Sequence, residues 1–287
     1  MINRKIDWLQ SIDDNNKLKL NILEKRLADF YASNPDYYTN IDFTSTNWID
    51  TSEVGYQEIL KIVSGMEKIC EVGCGSANML KHHVQFRPRY SGCDFSDQLM
   101  KHNQFLYPEA TFRVIEEPNT FPFDDESFDV VFSVFVIEHS TDPSKFLNEC
   151  SRILKSGGSL VILCPNFLGS GHMTSQRAGW SQGTAQQKLR KGKFADAVVT
   201  LFDNRIRIPF RCRQFAKKAA HYPLFLVNAK PVVFDDPFSP DVDAVYVTYK
   251  IEIEKYLSRK FKVNENTSVV SSYESERRII FLSLSKF

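Results

Sequence analysis

The sequence predicts an α/β fold in which helices cover both faces of a parallel sheet. Short apolar runs, which are typical of buried parallel strands, alternate with helix-compatible segments from residue 56 to residue 166. Crossovers between parallel strands are right-handed, so successive helices cover the two faces. The alternation stops after Pro165 and resumes near Val242. We therefore expect one elaborated domain of 287 residues with an insertion in its second half.

Each predicted element follows from a local pattern. Leu20, Leu23, Leu27 and Phe30 have helical spacing that Pro35 ends, so a helix precedes the sheet. The same spacing predicts further helices at 56–66, 78–85, 99–105, 143–154 and 249–257. Apolar runs predict strands at 68–72, 90–93, 111–115, 128–134, 159–164, 260–263 and 278–284.

The composition is that of an ordinary globular chain. Apolar residues make up 43% and charged residues 25%, and a net charge of +1 excludes a strong overall attraction to nucleic acid or anionic lipid. There is no signal-peptide pattern and no apolar run near the roughly 18 residues of a membrane span, so we expect a cytoplasmic protein with no membrane partner. The six cysteines lack metal-ligand spacing, so we expect buried free thiols and no metal.

The stretch at 69–75, Ile-Cys-Glu-Val-Gly-Cys-Gly, predicts a nucleotide-binding turn after a buried strand. Gly73 and Gly75 can adopt positive φ and let a ligand approach the backbone closely. The dinucleotide pattern G-x-G-x-x-G requires a third glycine, but Asn78 occupies that position. With Glu71 two residues before the first glycine, this departure points away from NAD and towards another adenosine cofactor.

Asp94 is the second marker of a nucleotide site. It ends the predicted strand at 90–93, about 20 residues after the glycine turn, where an acid can bind ribose hydroxyls. A carboxylate can accept hydrogen bonds from both hydroxyls of a diol. The alternative is a helix N-cap, a role that suits either Asp94 or Ser96.

Three further motifs extend the pattern: F-P-F-D-D-E-S-F-D at 121–129, V-I-E-H at 136–139 and R-I-L-K-S-G-G at 152–158. With the glycine turn and Asp94, they resemble class I S-adenosylmethionine-dependent methyltransferases, especially the methyltransferase type 11-like small-molecule group. The resemblance is close over 66–166 and loose over 242–287. It implies a Rossmann-like, doubly wound, seven-stranded, mostly parallel sheet and the cofactor S-adenosyl-L-methionine.

The resemblance also implies cofactor contacts for individual residues. Glu71 would meet the amino-acid end of the cofactor, and Asp94 its ribose. Glu117 and Pro118 stand where an acid and a backbone amide usually meet adenine, but Pro118 has no N–H to donate. The other implied cofactor contacts are Gly73, Cys74, Gly75, Phe95, Ser133, Val134, Phe135 and His139.

Two histidines are candidate catalytic residues. Methyl transfer needs little covalent help, because the sulfonium methyl is already electrophilic and has only to be held in line with the acceptor. A hydroxyl acceptor gains from a general base. His139 follows the strand at 128–134, where it could accept a proton or only close the cofactor pocket. His172 is a comparable candidate base, or an exposed loop histidine.

The insertion is strongly basic. Residues 167–240 contain twelve Lys and Arg but four acidic residues, a local excess of +8. Because this segment often caps the acceptor site in the family, the excess could select an acceptor that is phosphorylated or nucleotide-linked. RNA binding, a solvated basic face and a contact within a homodimer are the alternatives. Candidate substrate contacts are the aromatic residues Tyr37, Tyr38 and Trp180.

The sequence thus predicts three parts. These are an N-terminal helical extension or lid at 1–55, a cofactor-binding core at 56–166 and 241–287, and an insertion at 167–240 that caps the acceptor site. The leading hypothesis is a methyltransferase acting at oxygen on a small anionic or sugar-linked molecule. The alternatives are an N-methyltransferase acting on RNA or protein, and a non-catalytic scaffold. Since V-I-E-H replaces the Asn/Asp-Pro-Pro-Tyr/Phe signature of base methylation, nucleic acid is not the expected partner.

Overall fold

The computed structural model describes residues 6–33, 54–232, 244–264 and 278–287 of the chain. Two candidate substrate contacts, Tyr37 and Tyr38, lie outside the described residues. The strands are β1 (Trp8–Gln10), β2 (Ile69–Val72), β3 (Tyr90–Asp94), β4 (Thr111–Val114), β5 (Phe128–Val134), β6 (Leu154–Pro165), β7 (Leu226–Asn228), β8 (Phe261–Val263) and β9 (Ile279–Lys286).

The helices of the sheet domain begin and end close to the predicted positions. In chain order the helices are α1 (Lys17–Ser33), α2 (Val54–Ser64), α3 (Asn78–His82), α4 (Asp97–Leu106), α5 (Pro143–Ile153), α6 (Phe167–Ser170), α7 (Ala185–Arg190), α8 (Phe194–Phe202), α9 (Ile208–Ala219) and α10 (Lys250–Leu257). A π-helical segment, Asp203–Arg207, joins α8 to α9. Among the described helices, none combines the length and the apolar character that a membrane span requires.

Seven strands form one sheet in the order β4-β3-β2-β5-β6-β9-β8. Neighbours from β4 to β6 are parallel, whereas β9 is antiparallel to both β6 and β8. The chain leaves β2 towards β3 and β4 and then returns to the other side of β2 as β5. The predicted doubly wound, mostly parallel α/β fold is therefore confirmed. The strand order reverses between β2 and β5, which is where open α/β sheets bind ligands.

The central strands of the sheet, such as β2 and β5, are buried on both faces, which explains why they are mainly apolar. In β5, Val131 packs with Phe146 of α5 on one face. Its neighbours Val130 and Phe132 pack with Ile59 of α2 on the other. All six cysteines are free and buried, as predicted.

Arg152 fixes the loop that leads into β5. Its guanidinium donates to the carbonyls of Phe121 and Phe123 at 2.9 and 2.8 Å. It also pairs with Glu149 at 2.7 Å and with Asp125 at 2.8 Å. Burial opposes ionisation of Glu149, but Arg152 and the Phe121 amide hold the pKa of its carboxyl below the ordinary value. The 121–129 and 152–158 motifs therefore have a structural role here.

The N-terminal segment and the insertion pack together beside the sheet. β1 pairs with β7 in antiparallel fashion, with Trp8 opposite Asn228. Leu20, Leu23 and Leu27 of α1 form a small core with β7. Within the insertion, α9 packs on α6, which directly follows β6. The insertion thus contains regular helices, although its sequence shows no clean period.

We expect Arg152→Gln to destabilise the protein by about 2–3 kcal/mol, because two carbonyls and two carboxylates lose their charged donor. Urea denaturation monitored by circular dichroism would measure the change in the free energy of unfolding. Arg259→Gln is the matched control, since Arg259 is exposed. Equal stability of the two variants would show that the clamp does not hold the loop.

Candidate active site

The turns after β2, β3 and β5 meet at the carboxyl edge of the sheet, at the switch in strand order. The amides of Gly73 and Cys74 donate to the carbonyl of Cys93 at 2.8 and 3.1 Å, which ties the glycine turn to the end of β3. Gly73 has φ +71°, and a Cβ there would lie 2.4 Å from Cγ2 of Val136. Only glycine fits at this position, because the turn after β5 lies against it.

Gly75 faces open space. Its φ is +49°, and among the described residues no atom beyond its chain neighbours lies within 4 Å of the position that a Cβ would take. Its amide donates to Oδ2 of Asp94 at 3.0 Å, and its carbonyl accepts from Nδ2 of the buried Asn103 at 2.7 Å. The turn is thus held from both sides while its outer surface stays accessible to a ligand.

Asp94 links the turns after β2 and β3. Besides the Gly75 amide, its carboxylate accepts from the Ser96 amide at 3.2 Å. Burial raises the pKa of Asp94, although these amides oppose the shift. Ser96, not Asp94, caps α4 by accepting from the Leu99 amide at 3.2 Å. Of the two residues that the N-cap alternative allowed, Ser96 therefore fills that role, and Asp94 faces the site.

Glu71 is the second acid of the site. The hydroxyl of the buried Tyr90 donates to its Oε2. Burial, reinforced by the charge of Asp94, raises the pKa of Glu71 to about 8 despite the Tyr90 hydrogen bond. Ionisation of both Glu71 and Asp94 is therefore unfavourable in the free protein. A positively charged ligand suits this site, because its charge stabilises the ionised carboxylates.

The end of β5 supplies further polar and strained groups. Ser133 is 1% exposed, and its Oγ has no hydrogen-bond partner among the described residues. Phe135 has φ +55°, a conformation that is costly for an aromatic residue and occurs mainly at functional sites. Val134 is half-buried beside them, and Phe95, after β3, is exposed. His139 is half-buried in the 3-10 helix Ile137–His139, directly after the segment that touches Gly73.

The region assigned to adenine is organised differently from the expectation. Glu117 is exposed, and the carbonyl of the half-buried Pro118 accepts from Nζ of Lys145 at 3.2 Å. The buried residue is Asn119, which has φ +52° and whose Oδ1 accepts from the Ser140 hydroxyl at 2.8 Å. This bond ties the loop to the turn after β5. The contacts of Glu117 and Pro118 with adenine stay predictions.

His172 follows β6 and α6. β6 lies beside β5 and parallel to it, so the turn that carries His172 leaves the same edge of the sheet. Partial desolvation of the imidazole, with the positive charge of Arg278, lowers the pKa of His172, although the residue as a whole is exposed. Arg278 precedes β9 and is placed here because its carbonyl accepts from the Asn166 amide at 2.7 Å.

The basic insertion needs one correction. Lys188 is 1% exposed, and its Nζ pairs with Asp196 at 3.3 Å and donates to Thr200 at 2.6 Å. Arg207 likewise pairs with the fully buried Asp203 at 2.6 Å. These two cations cannot bind an anionic acceptor, because each is already paired with a buried aspartate inside the fold. Their acids hold the adjacent loop, since Asp196 accepts from the Trp180 amide at 2.6 Å.

Sequence reasoning missed three residues of the site, which are Tyr90, Asn103 and Val136. Each acts on a residue far away in the chain, so no local pattern indicates its role. Among the described residues, no group of three or more metal-ligating side chains is close enough together to hold a metal ion.

A family model described as a methyltransferase domain matches residues 70–162. A probable S-adenosylmethionine-dependent methyltransferase of Mycolicibacterium smegmatis is 31% identical over 119 residues, which cover 42% of this chain and 46% of the relative. A tRNA N(3)-cytidine methyltransferase of Xenopus tropicalis is 31% identical over 113 residues, covering 34% and 33%. A ubiquinone biosynthesis O-methyltransferase of Alkalilimnicola ehrlichii is 24% identical over 119 residues, covering 39% and 48%.

The chain thus spans under half of the length of each of these relatives. The segment that matches the family model contains the glycine turn, Asp94 and the turn after β5. The sheet order, the glycine turn and the acid at the end of β3 agree with the family match. Residues 70–162 therefore match a methyltransferase domain, and this chain is similar over part of its length to S-adenosylmethionine-dependent methyltransferases.

Proposed function

We propose that this protein transfers the methyl group of S-adenosylmethionine to an oxygen atom of a small-molecule acceptor. The observation that carries the proposal is the pair of acids, Glu71 and Asp94, beside the open space above Gly75 at the switch in strand order. When bound, the cofactor supplies an electrophilic methyl group on a positively charged sulfur. The residues of the site have to bind and orient it and exclude water.

The arrangement suits that cofactor group by group. The Asp94 carboxylate has more lone pairs than the Gly75 and Ser96 amides occupy. The remaining lone pairs can accept hydrogen bonds from ribose hydroxyls. Glu71 can meet an ammonium group, whose charge favours the ionised form of this carboxyl. The hydroxyl of Ser133 has no partner among the described residues and can bond to a polar group of the cofactor.

The acceptor side of the site favours oxygen and an anionic group. His139 and His172 leave neighbouring parallel strands at one edge, and either imidazole can take the proton that a hydroxyl must lose. Arg278, whose charge acts on His172, offers a guanidinium to a phosphate or carboxylate. The ubiquinone-pathway relative, which is named an O-methyltransferase, supports the same chemistry.

Methylation of RNA at nitrogen is the second candidate, and the tRNA-modifying relative supports it. The absence of the Asn/Asp-Pro-Pro-Tyr/Phe signature after β5 argues against it. Transfer of labelled methyl from S-adenosylmethionine to a panel of phenols, sugar phosphates and tRNA transcripts would distinguish the two. We expect label in a hydroxyl compound, and label found in tRNA alone would contradict the proposal.

We expect Asp94→Asn to weaken binding of S-adenosylhomocysteine by about 1–3 kcal/mol, because charge-assisted hydrogen bonds to the ribose are lost. Isothermal titration calorimetry would measure the change. Asp97→Asn is the matched control, since Asp97 is exposed in the first turn of α4 and pairs only with Lys101 among the described residues. A loss of affinity in the control alone, or in neither variant, would refute the ribose assignment.

We expect Glu71→Gln to weaken cofactor binding but to stabilise the free protein at neutral pH. The pKa of Glu71 is raised from 4.5 to about 8 on folding, so its contribution to stability is full below the unfolded pKa and is lost as pH rises towards 8. Glutamine mimics the protonated acid, so the gain in unfolding free energy should be near zero at acidic pH and about 1–3 kcal/mol at neutral pH. Urea denaturation at both pH values tests this sign, and a variant that is less stable at neutral pH would contradict it.

If a histidine acts as the base, we expect His139→Ala or His172→Ala to lower kcat for a hydroxyl acceptor by about 10²–10⁴-fold, with cofactor affinity little changed. The wild-type pH profile of kcat should show the ionisation of one imidazole, and the variant that lacks the base should lose this dependence. His221→Ala is the control, because His221 is an exposed histidine of the same insertion. Wild-type kcat in both site variants would show that positioning alone suffices.

A further inference from the structure

The helical run from α8 through the π-helical segment into α9 presents large apolar side chains to solvent. We call these residues the apolar stripe. Their exposed fractions range from 43% to 66%, whereas the opposite side of the run is buried. Contiguous exposed apolar surface of this kind marks a contact with another molecule. The members of the apolar stripe are Phe194, Val198, Leu201, Phe202, Ile206 and Phe210.

The π-helical segment keeps the apolar stripe on one side. Along an α-helix of 3.6 residues per turn, a spacing of four residues drifts by about 40° at each step. The wider turn at Asp203–Arg207 offsets this drift, so Ile206 and Phe210 stay in line with Phe202. The apolar stripe is therefore about 24 Å long at the α-helical rise per residue.

The stretch of chain that carries the apolar stripe is rich in exposed cations and has no exposed acid. Between residues 182 and 218, all described, the only acids are Asp196 and Asp203, and both are buried. They pair with the buried or half-buried cations Lys188 and Arg207. The exposed cations of the same stretch are Arg190, Lys191, Lys193, Arg205, Arg211, Arg213, Lys217 and Lys218.

An open groove of about 490 Å³ adjoins the N-terminal end of the apolar stripe. Its lining includes Trp180, Lys193 and Phe194. Trp180 is 41% exposed, and its amide is anchored by Asp196. An exposed tryptophan beside a lysine is typical of the boundary between headgroups and acyl chains of a lipid layer.

We infer that this face binds the surface of an anionic membrane, with the apolar stripe entering the headgroup boundary and the cations contacting lipid phosphates. A helix with one apolar face and flanking lysine and arginine lies in that interface without spanning it. No membrane partner was expected from the sequence, because no segment could span a membrane and the net charge was small. Binding at the membrane surface departs from that expectation. A second copy of the chain is a poorer occupant, because a two-fold contact would bring two cationic surfaces together. The inference does not rest on the proposed methyl transfer.

Vesicle flotation tests the inference directly. We expect the wild-type protein to float with vesicles of phosphatidylcholine and phosphatidylglycerol, to float much less with phosphatidylcholine alone, and to dissociate as salt is raised. Phe194→Ser combined with Phe202→Ser should lower the bound fraction at least about tenfold, and Arg205→Glu should lower it several-fold. Circular dichroism and the melting temperature would confirm that these surface variants fold.

Two control variants change matched residues outside the apolar stripe. Phe105→Ser removes a phenylalanine that is 83% exposed on α4, and Lys262→Glu reverses an exposed charge on β8. Both should bind vesicles as the wild type does. Wild-type protein that stays unbound with anionic vesicles, or a stripe variant that floats as the wild type does, would overturn the inference. So would a wild-type dimer in analytical ultracentrifugation that the stripe variant converts to a monomer without any vesicle binding, since the second copy would then cover the face.

Discussion

The contact between Gly73 and Val136 is the constraint on which the candidate site depends. A Cβ on Gly73 would lie 2.4 Å from a methyl of Val136, so the turns after β2 and β5 meet with only backbone on one side. This contact brings the glycine turn, the strained Phe135 and the start of the 3-10 helix with His139 to one place. The parallel pairing of β2 with both β3 and β5 then adds Asp94 from the other side.

The electrostatics of the site work against the stability of the free protein. Glu71 and Asp94 both lie where burial disfavours their ionised forms, and the charge of Asp94 further raises the cost of ionising Glu71. Apolar residues of similar size would fold more easily here, since neither would lose hydration. A cationic ligand changes this balance, because its positive charge stabilises the ionised carboxylates that burial disfavours. Such a trade of stability for binding is common at functional sites.

The sequence was sufficient to predict most of the sheet domain, and the reason is local. β5 was predicted at 128–134 as observed, because a strand buried on both faces is a continuous apolar run. The insertion was harder, because α8 reverses much of the usual pattern. Its buried side carries Asp196 and Thr200 beside Ala197, while its exposed side is largely apolar. The helical spacing of Phe194, Val198 and Phe202 is present in the sequence, but these residues form an exposed face instead of a core face.

The same reversal explains why the count of charged residues in the insertion overestimated its exposed positive charge. Lys188 counts as a surface cation in the sequence, yet it is buried among Asp196, Thr200 and the carbonyl of Ala178. Buried ion pairs contribute little net stability, because desolvation offsets their attraction. An exposed apolar stripe gains nothing from folding in water either. A helix with buried ion pairs and an exposed apolar side is explained when the surface of another molecule covers the apolar side. The cations around the apolar stripe specify that this covering surface is anionic.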